Sequence, residues 1–153
     1  VENKSLYAVK GEVEDEFKPI PLGHAEVKRV GDDVTIFATG ACVGKAMMAA
    51  NELEKENINC EIIDPRTLFP FDKETLFKSI EKTNKVILVT EENKRGAFSA
   101  EVAALIAEEA FDYLDAPIVR IGAINTPVPF SKVLEEYYQP GVNDIKKAVK
   151  SII

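Results

Sequence analysis

Cys60-Glu-Ile-Ile-Asp-Pro-Arg-Thr-Leu-Phe-Pro-Phe-Asp72 is the stretch that decides the fold, because a buried-strand pattern there runs straight into turn and helix-capping residues. Cys60, Ile62 and Ile63 supply the strand, while Asp64 and Arg66 offer a charge pair at its tip. Pro65 and Pro70 stiffen the exit. Asp72 is placed to cap a helix that carries Leu76, Phe77 and Ile80 at spacings of three and four. Lys73, Glu74, Lys78 and Glu81 fall on its other side.

Working outward, the same alternation of strand and helix continues in both directions. Upstream, His24 to Val30 alternates polar and apolar side chains as an edge strand does, and Gly31-Asp32-Asp33 turns the chain into a second strand, Val34 to Ala38. A helix follows with Val43, Ala46, Met47, Ala50 and Leu53 on one face, ending near Glu56-Asn57. Downstream, Val86-Ile-Leu-Val89 is a continuous apolar run suited to a central strand buried on both faces. Thr90 to Gly96 reads as a polar loop. Phe98, Val102, Leu105 and Ile106 mark a helix running to about Phe111, and Ile118 to Ile121 is the last strand. Asn125-Thr-Pro-Val-Pro-Phe130 is a stiff turn feeding a short helix over Ser131 to Tyr138. Pro140-Gly141 breaks it, and Val142, Ile145, Ala148, Val149 and Ile152 draw a final amphipathic helix. This order predicts an α/β fold, a three-layer α/β/α sandwich on a mostly parallel sheet.

The 153 residues suit one domain with a real core, since a globule of this length buries roughly 70% of its unfolded surface. Residues 1–22 are expected to be a connector, because charges interrupt every apolar run and Pro19 and Pro21 hold the chain extended, and residues 23–153 are expected to form the domain. Val1 is not an initiator methionine, which fits a start inside a longer polypeptide or after processing. Nineteen Lys and Arg against 26 Asp and Glu give a net charge of −7, which speaks against nucleic acid as a partner and for a basic protein, or simply for solubility. No run approaches a membrane span and no signal-peptide pattern opens the chain, so no membrane association is expected and the cytoplasm or an organelle matrix is the expected location. Cys42 and Cys60 are expected to be reduced core residues. With His24 as the one histidine, and that exposed or structural, metal clusters and a Ser-His-Asp relay have little material.

Few constellations could carry chemistry. Gly40-Ala-Cys-Val-Gly-Lys45-Ala46 lies between a strand and a helix, but it has three residues rather than four between its glycines and no hydroxyl after the lysine. A tight turn fits better than a phosphate loop. Glu91 and Glu92 sit where open α/β sheets bind ligands, and either acid-base work or a solvated loop would use them. Phe111-Asp-Tyr-Leu-Asp-Ala-Pro117 mixes aromatic groups with carboxylates as protein interfaces do. The other reading packs Phe111 and Leu114 inward and leaves Asp112 and Asp115 wet.

A family resemblance extends these readings. Glu2-Asn-Lys-Ser-Leu-Tyr7, Pro21-Leu-Gly-His-Ala-Glu-Val27, Asp33-Val-Thr-Ile36, Asp64 to Asp72, Gly96-Ala-Phe-Ser-Ala-Glu101, Phe111 to Pro117 and Thr126-Pro-Val-Pro-Phe130 follow in the order seen in beta subunits of thiamine-diphosphate-dependent 2-oxo acid dehydrogenases. Among these, pyruvate and acetoin dehydrogenase beta subunits are the nearest likeness. The chain resembles their C-terminal, transketolase-like domain, which implies a five-stranded mixed sheet with an antiparallel first strand. Val1 to Lys4 would then be the last strand of a preceding domain.

The resemblance implies that thiamine diphosphate and magnesium belong to the parent complex and that the catalytic and cofactor-binding residues lie outside this chain, with no metal held here. The isolated chain is then expected to be inactive. Its role would be assembly, with a dehydrogenase alpha subunit, a second beta subunit and the subunit-binding domain of the lipoyl acyltransferase as partners. By the same resemblance Asp115 and Ile153 would dock that last domain. Many bacterial relatives have histidine where this chain has Thr90. The transketolase and deoxyxylulose phosphate synthase C-terminal domains are alternatives within the family. An independent catalytic domain with Arg66, Glu91 and Glu92 around one pocket is the alternative outside it.

Overall fold

The computed structural model describes residues 3–12, 15–16 and 18–153. Five strands, β1 (Glu26–Arg29), β2 (Val34–Ala38), β3 (Cys60–Asp64), β4 (Val86–Asn93) and β5 (Val119–Ala123), form one sheet in the order β1-β3-β2-β4-β5. β1 is antiparallel to β3 and the other pairings are parallel. The helices are α1 (Cys42–Glu54), α2 (Lys73–Thr83), α3 (Phe98–Glu109), α4 (Lys132–Tyr138) and α5 (Val142–Lys150). α1 and α5 cover one face, where Ile36, Ile62, Ile87 and Val89 meet Ala46, Leu53, Ile145 and Val149. α2 and α3 cover the other, where Phe37, Ile63 and Leu88 meet Leu76, Ile80, Val102 and Ile106. This is the α/β/α sandwich that the sequence predicts.

Chain order and spatial order differ at one place. β1 does not pair with β2, its neighbour in sequence, because β3 is inserted between them. The crossing is tight at Gly31, where a Cβ would lie 2.3 Å from the carbonyl carbon of Cys60. Only glycine fits that approach. Glu61, 4% exposed, accepts from the Gly31 N–H at 3.4 Å and is ion-paired by the Lys82 ammonium, so its burial is compensated. Inside the second layer, the Thr35 hydroxyl bonds those of Ser79 and Thr83 at 2.6 and 2.7 Å, tying β2 to α2 through buried polar groups that satisfy one another.

Three expectations change in detail. β4 runs on through Thr90 to Asn93, where the sequence reads as a loop, with a register shift between Val89 and Asn93 that lets Asn93 pair with Ala123. α3 stops at Glu109, and a separate 3-10 turn, Phe111–Tyr113, follows. Val1 and Glu2, assigned by resemblance to a preceding strand, lie outside the described residues, and Lys4–Ala8 is a 3-10 turn capped by the Asn3 side chain. Cys42 and Cys60 are buried and free, and burial pushes their thiols up to about 12 and about 11, which keeps them protonated and inert.

The corner after β3 holds the edge strand. Asp72 accepts from the Thr75 N–H (3.1 Å) and hydroxyl (2.8 Å) at the start of α2, and from the Ala25 N–H (2.9 Å) at the start of β1. Thr67 accepts from the Gly23 N–H at 3.0 Å and donates to the Pro70 carbonyl at 2.9 Å. Partial burial pulls the Asp72 carboxyl upward in pKa, but the bonds from Ala25 and Thr75 outweigh it and leave the group below its usual value. A depressed folded-state pKa stabilises the fold above the unfolded value and loses that contribution as pH falls through the folded one. Asp72→Ala is expected to cost about 1–2 kcal/mol at neutral pH by urea denaturation. The gap from the unsubstituted chain should close as pH drops below about 4.

Candidate functional site

The parallel strands run so that β2 leads into α1 on one face and β4 leads into α3 on the other. The crevice beyond the ends of β2 and β4 is therefore the topological switch point, where open α/β sheets bind ligands. A cleft of about 550 Å³ opens there, lined by Asn3, Lys45, Glu91, Lys132, Glu136 and Gln139 among others. Gly40 turns the chain out of β2 with φ +56°, and a Cβ on it would come within 3.0 Å of the Glu91 carboxylate. Glu91 accepts from the Asn3 side-chain amide at 2.6 Å. Lys45, one turn into α1, donates to the Gln139 side chain at 3.3 Å and to the Pro140 carbonyl at 3.0 Å. Lys45, taken apart from Glu91 in the sequence, thus shares one cleft with it, and Gly40 lies against the Glu91 carboxylate. The strand order, which the sequence does not spell out, is what joins them.

The cleft is evenly charged, with Lys4, Lys45 and Lys132 against Glu91, Glu135 and Glu136. Of these, Lys45 is spent on holding the α4–α5 corner. Glu92 turns to the opposite face and accepts from the Phe98 N–H at 2.8 Å, supplying the cap that Ala97 cannot give α3. Arg66 is further away in function as well as in space. Its backbone has φ +57° and its N–H bonds Asp64 at 3.0 Å, while its guanidinium pairs with Glu26 on β1. The charge pair at the strand tip is therefore Arg66–Glu26, while the Asp64 carboxylate accepts from the Arg66 backbone N–H. Glu91 and Glu92 both line a second cleft of about 430 Å³, and Arg66 is not among the residues that line either of these two clefts. Thr90 is fully buried, and its hydroxyl has no hydrogen-bond partner among the described residues.

At the other end of the sheet, where β4 and β5 begin, the acidic segment is held against the left-handed cap of α2. Asn84, at φ +58°, accepts from the Asp115 N–H at 2.8 Å and its side chain donates to the Tyr113 carbonyl at 2.9 Å. Asp112 and Asp115 are exposed, and Leu114 packs into the core. Phe111 is 67% exposed, so the inward packing read as one option for it is not realised. α5 pairs alongside α1 through Lys146–Glu52 (2.6 Å) and Lys150–Glu56 (2.5 Å), and it delivers Ile153 to this same end. Ile153 is half-exposed.

Among the described residues no group of three or more His, Cys, Asp or Glu side chains is placed to hold a metal ion. No helix of the described residues is long and apolar enough to cross a membrane.

A five-stranded mixed sheet in this order, with an antiparallel edge strand and helices on both faces, defines the fold class. The chain belongs to the transketolase C-terminal domain family, whose profile matches residues 23–145. It is 50% identical over 139 residues to the acetoin:2,6-dichlorophenolindophenol oxidoreductase subunit beta of Bacillus subtilis, covering 91% of this chain and 41% of that protein. It is 40% identical to the 2-oxoisovalerate dehydrogenase subunit beta of Bacillus subtilis and 40% identical to the pyruvate dehydrogenase E1 component subunit beta of Rickettsia felis, in both cases over 99% of this chain and 47% of the relative. A solved structure described as a split gene transketolase, inactive beta4 tetramer, superposes with a TM-score of 0.78 at 31% identity, covering 93% of this chain and 45% of that one. The chain thus spans under half the length of the relatives it matches.

Sequence reasoning missed the role of Lys45, because its partners Gln139 and Pro140 lie more than ninety positions away. Lys45→Met is expected to cost about 1–2 kcal/mol and to raise hydrogen exchange across Lys132 to Tyr138 while leaving α2 protected. Equal exchange in α4 of both proteins would contradict the role given to Lys45.

Proposed function

We propose that this chain is the assembly and partner-docking domain of a beta subunit from a thiamine-diphosphate-dependent 2-oxo acid dehydrogenase. The parent complex would oxidatively decarboxylate a 2-oxo acid such as pyruvate and pass the acyl group to a lipoyl group, the thiamine and its magnesium supplying that chemistry from outside these residues. Residues 1–22 would connect this domain to a preceding one. The partners would be a dehydrogenase alpha subunit, a second beta subunit and the small basic subunit-binding domain of the lipoyl acyltransferase.

The single observation that carries the docking reading is the acidic, aromatic end of the sheet. Asp112 and Asp115 stand exposed beside a largely exposed Phe111 and a partly exposed Tyr113, on backbone held by Asn84. Ile153 comes to the same end. Rigid carboxylates beside apolar groups suit a basic partner, since the charges steer encounter and set register while the aromatic groups supply burial. The net charge of −7 adds to that steering.

A specific observation also favours acetoin as the substrate of the parent enzyme. The relative at 50% identity is named for acetoin, whereas those named for 2-oxoisovalerate and pyruvate stand at 40%. Either substrate would be selected outside this domain, and the docking role is the same for both.

Asp115→Ala is expected to weaken capture of an isolated subunit-binding domain roughly tenfold in titration calorimetry, with the loss diminishing as salt is raised. Unchanged affinity in the Asp115 variant, or no binding by the unsubstituted chain, would remove the docking reading.

A further inference from the structure

Helix α4 turns its polar side inward. Lys132, Glu135 and Glu136, with Gln139 just past its end, follow one another at spacings of three and four and line the cleft beyond β2 and β4. Its apolar side chains Val133, Leu134 and Tyr137 are exposed, as are Val128 and Phe130 just before it. An ordinary surface helix does the reverse, with its apolar stripe on the core and its charges in water. The inversion is fixed by the way this excursion between β5 and α5 is anchored. The Ile124 N–H donates to the Tyr138 carbonyl at 3.2 Å, the buried Tyr138 bonds Asn93 of β4 through its hydroxyl, and Lys45 holds Gln139 and the Pro140 carbonyl. The polar stripe is therefore a standing wall of the cleft, and filling it would cost little ordering entropy.

The groups on that wall are not used by the fold. Glu91 receives Asn3 and Lys45 braces the corner, but among the described residues the side chains of Lys4, Lys132, Glu135 and Glu136 have no hydrogen-bond or ion-pair partner. Lys132 and Glu136 do not pair with each other, in keeping with the order Lys before Glu being the less favourable one along a helix. Two ammonium groups and two carboxylates thus face a cleft of about 550 Å³, a volume inside the ~300–1,000 Å³ of small-molecule sites. Such a balance disfavours a phosphate or a dicarboxylate, which the glutamates would repel, and equally a polyamine, which the lysines would repel. It suits a molecule that carries one charge of each sign close together. Lys132 and Glu136 lie one turn apart, ~5–6 Å between Cβ atoms, so both can reach neighbouring groups of one small ligand. Pro140 and Val142 add an apolar edge to the same cleft.

We infer that this cleft binds a zwitterionic α-amino acid with a short aliphatic side chain. Its carboxylate pairs with Lys132, its ammonium group pairs with Glu136, and its side chain rests on Pro140 and Val142. The inference is independent of the docking reading, which concerns the opposite end of the sheet.

NMR titration of the whole chain with L-leucine tests it. Resonances of α4 and of Val142 are expected to shift with a dissociation constant of roughly 0.1–1 mM. Isoamylamine, which is leucine without its carboxylate, and isocaproate, which is leucine without its ammonium group, should each bind about tenfold more weakly, since each leaves one charge of the pair unanswered. Lys132→Gln and Glu136→Gln remove exposed side chains without partners, so both variants should fold, and each should weaken leucine binding about tenfold. Lys132→Gln should leave isoamylamine binding as it was, and Glu136→Gln should do the same for isocaproate, a cross-pattern that general disturbance of the cleft would not produce. No shift at about 20 mM leucine would overturn the inference and leave a solvated polar cleft. Equal binding of leucine and its two analogues, or leucine affinity indifferent to both substitutions, would overturn it as well. Asp115→Ala is expected to leave leucine binding unchanged, so either reading can fail alone.

Discussion

The Asp72 carboxylate is the interaction on which the organisation of this domain depends. Three donors converge on it, two from the first turn of α2 and one from the backbone entering β1. Without it, a four-residue edge strand of mostly polar side chains, none of them fully buried, would have less to hold it. With it, the start of β1 is fixed to the corner that follows β3, and the antiparallel register Glu26 to Asp64 and Val27 to Ile63 follows. Arg66 reinforces the same joint from outside through Glu26, and Thr67 does so through Gly23. One carboxylate thus connects local helix capping to the long-range decision that makes the sheet mixed.

A consequence of that joint is that β3 is covered and the sheet can grow in the other direction, through β4 to β5. The two ends of the sheet then acquire separate characters. Where β4 and β5 begin, the left-handed Asn84 cap fixes acidic and aromatic groups on rigid backbone. Where β2, β4 and β5 finish, a small cleft with balanced charge adjoins an anchored apolar excursion. The carboxylates and ammonium group at the switch point are committed to structure: Glu92 caps α3, Lys45 braces the α4–α5 corner and Glu91 receives Asn3. Lys132 and Glu136, which also line that cleft, are left without an ion-pair partner among the described residues.

Much of the fold was legible because it is written in short-range patterns. The β3-to-α2 run, the continuous apolar strands β2 and β4, and the stripes of α1, α3 and α5 each declare themselves within a dozen residues. The misjudged places are those where a distant partner decides. Thr90 to Asn93 is polar enough to read as loop, yet β5 pairs with it and extends β4. Phe111, for which the sequence leaves an interface and an inward packing both open, is set outside because α3 ends at Glu109 and the 3-10 turn carries the ring away from the core. Arg66 and Asp64, two positions apart, look like a pair, but the positive φ of Arg66 sends the guanidinium to Glu26.

By itself the sequence determined the element types and their order, the α/β class and the acidic character of the chain, because periodicity, capping residues and composition are local properties. Through the order of its motifs it also determined the family it resembles. The tertiary structure alone decided that β3 separates β1 from β2, that Lys45 and Glu91 share one cleft while Arg66 stands apart, and that Phe130, Val133 and Tyr137 face outward together. Each of those outcomes depends on which segments lie side by side, and that is set by long-range pairing and by the choice of sheet face, for which a linear pattern carries no signal.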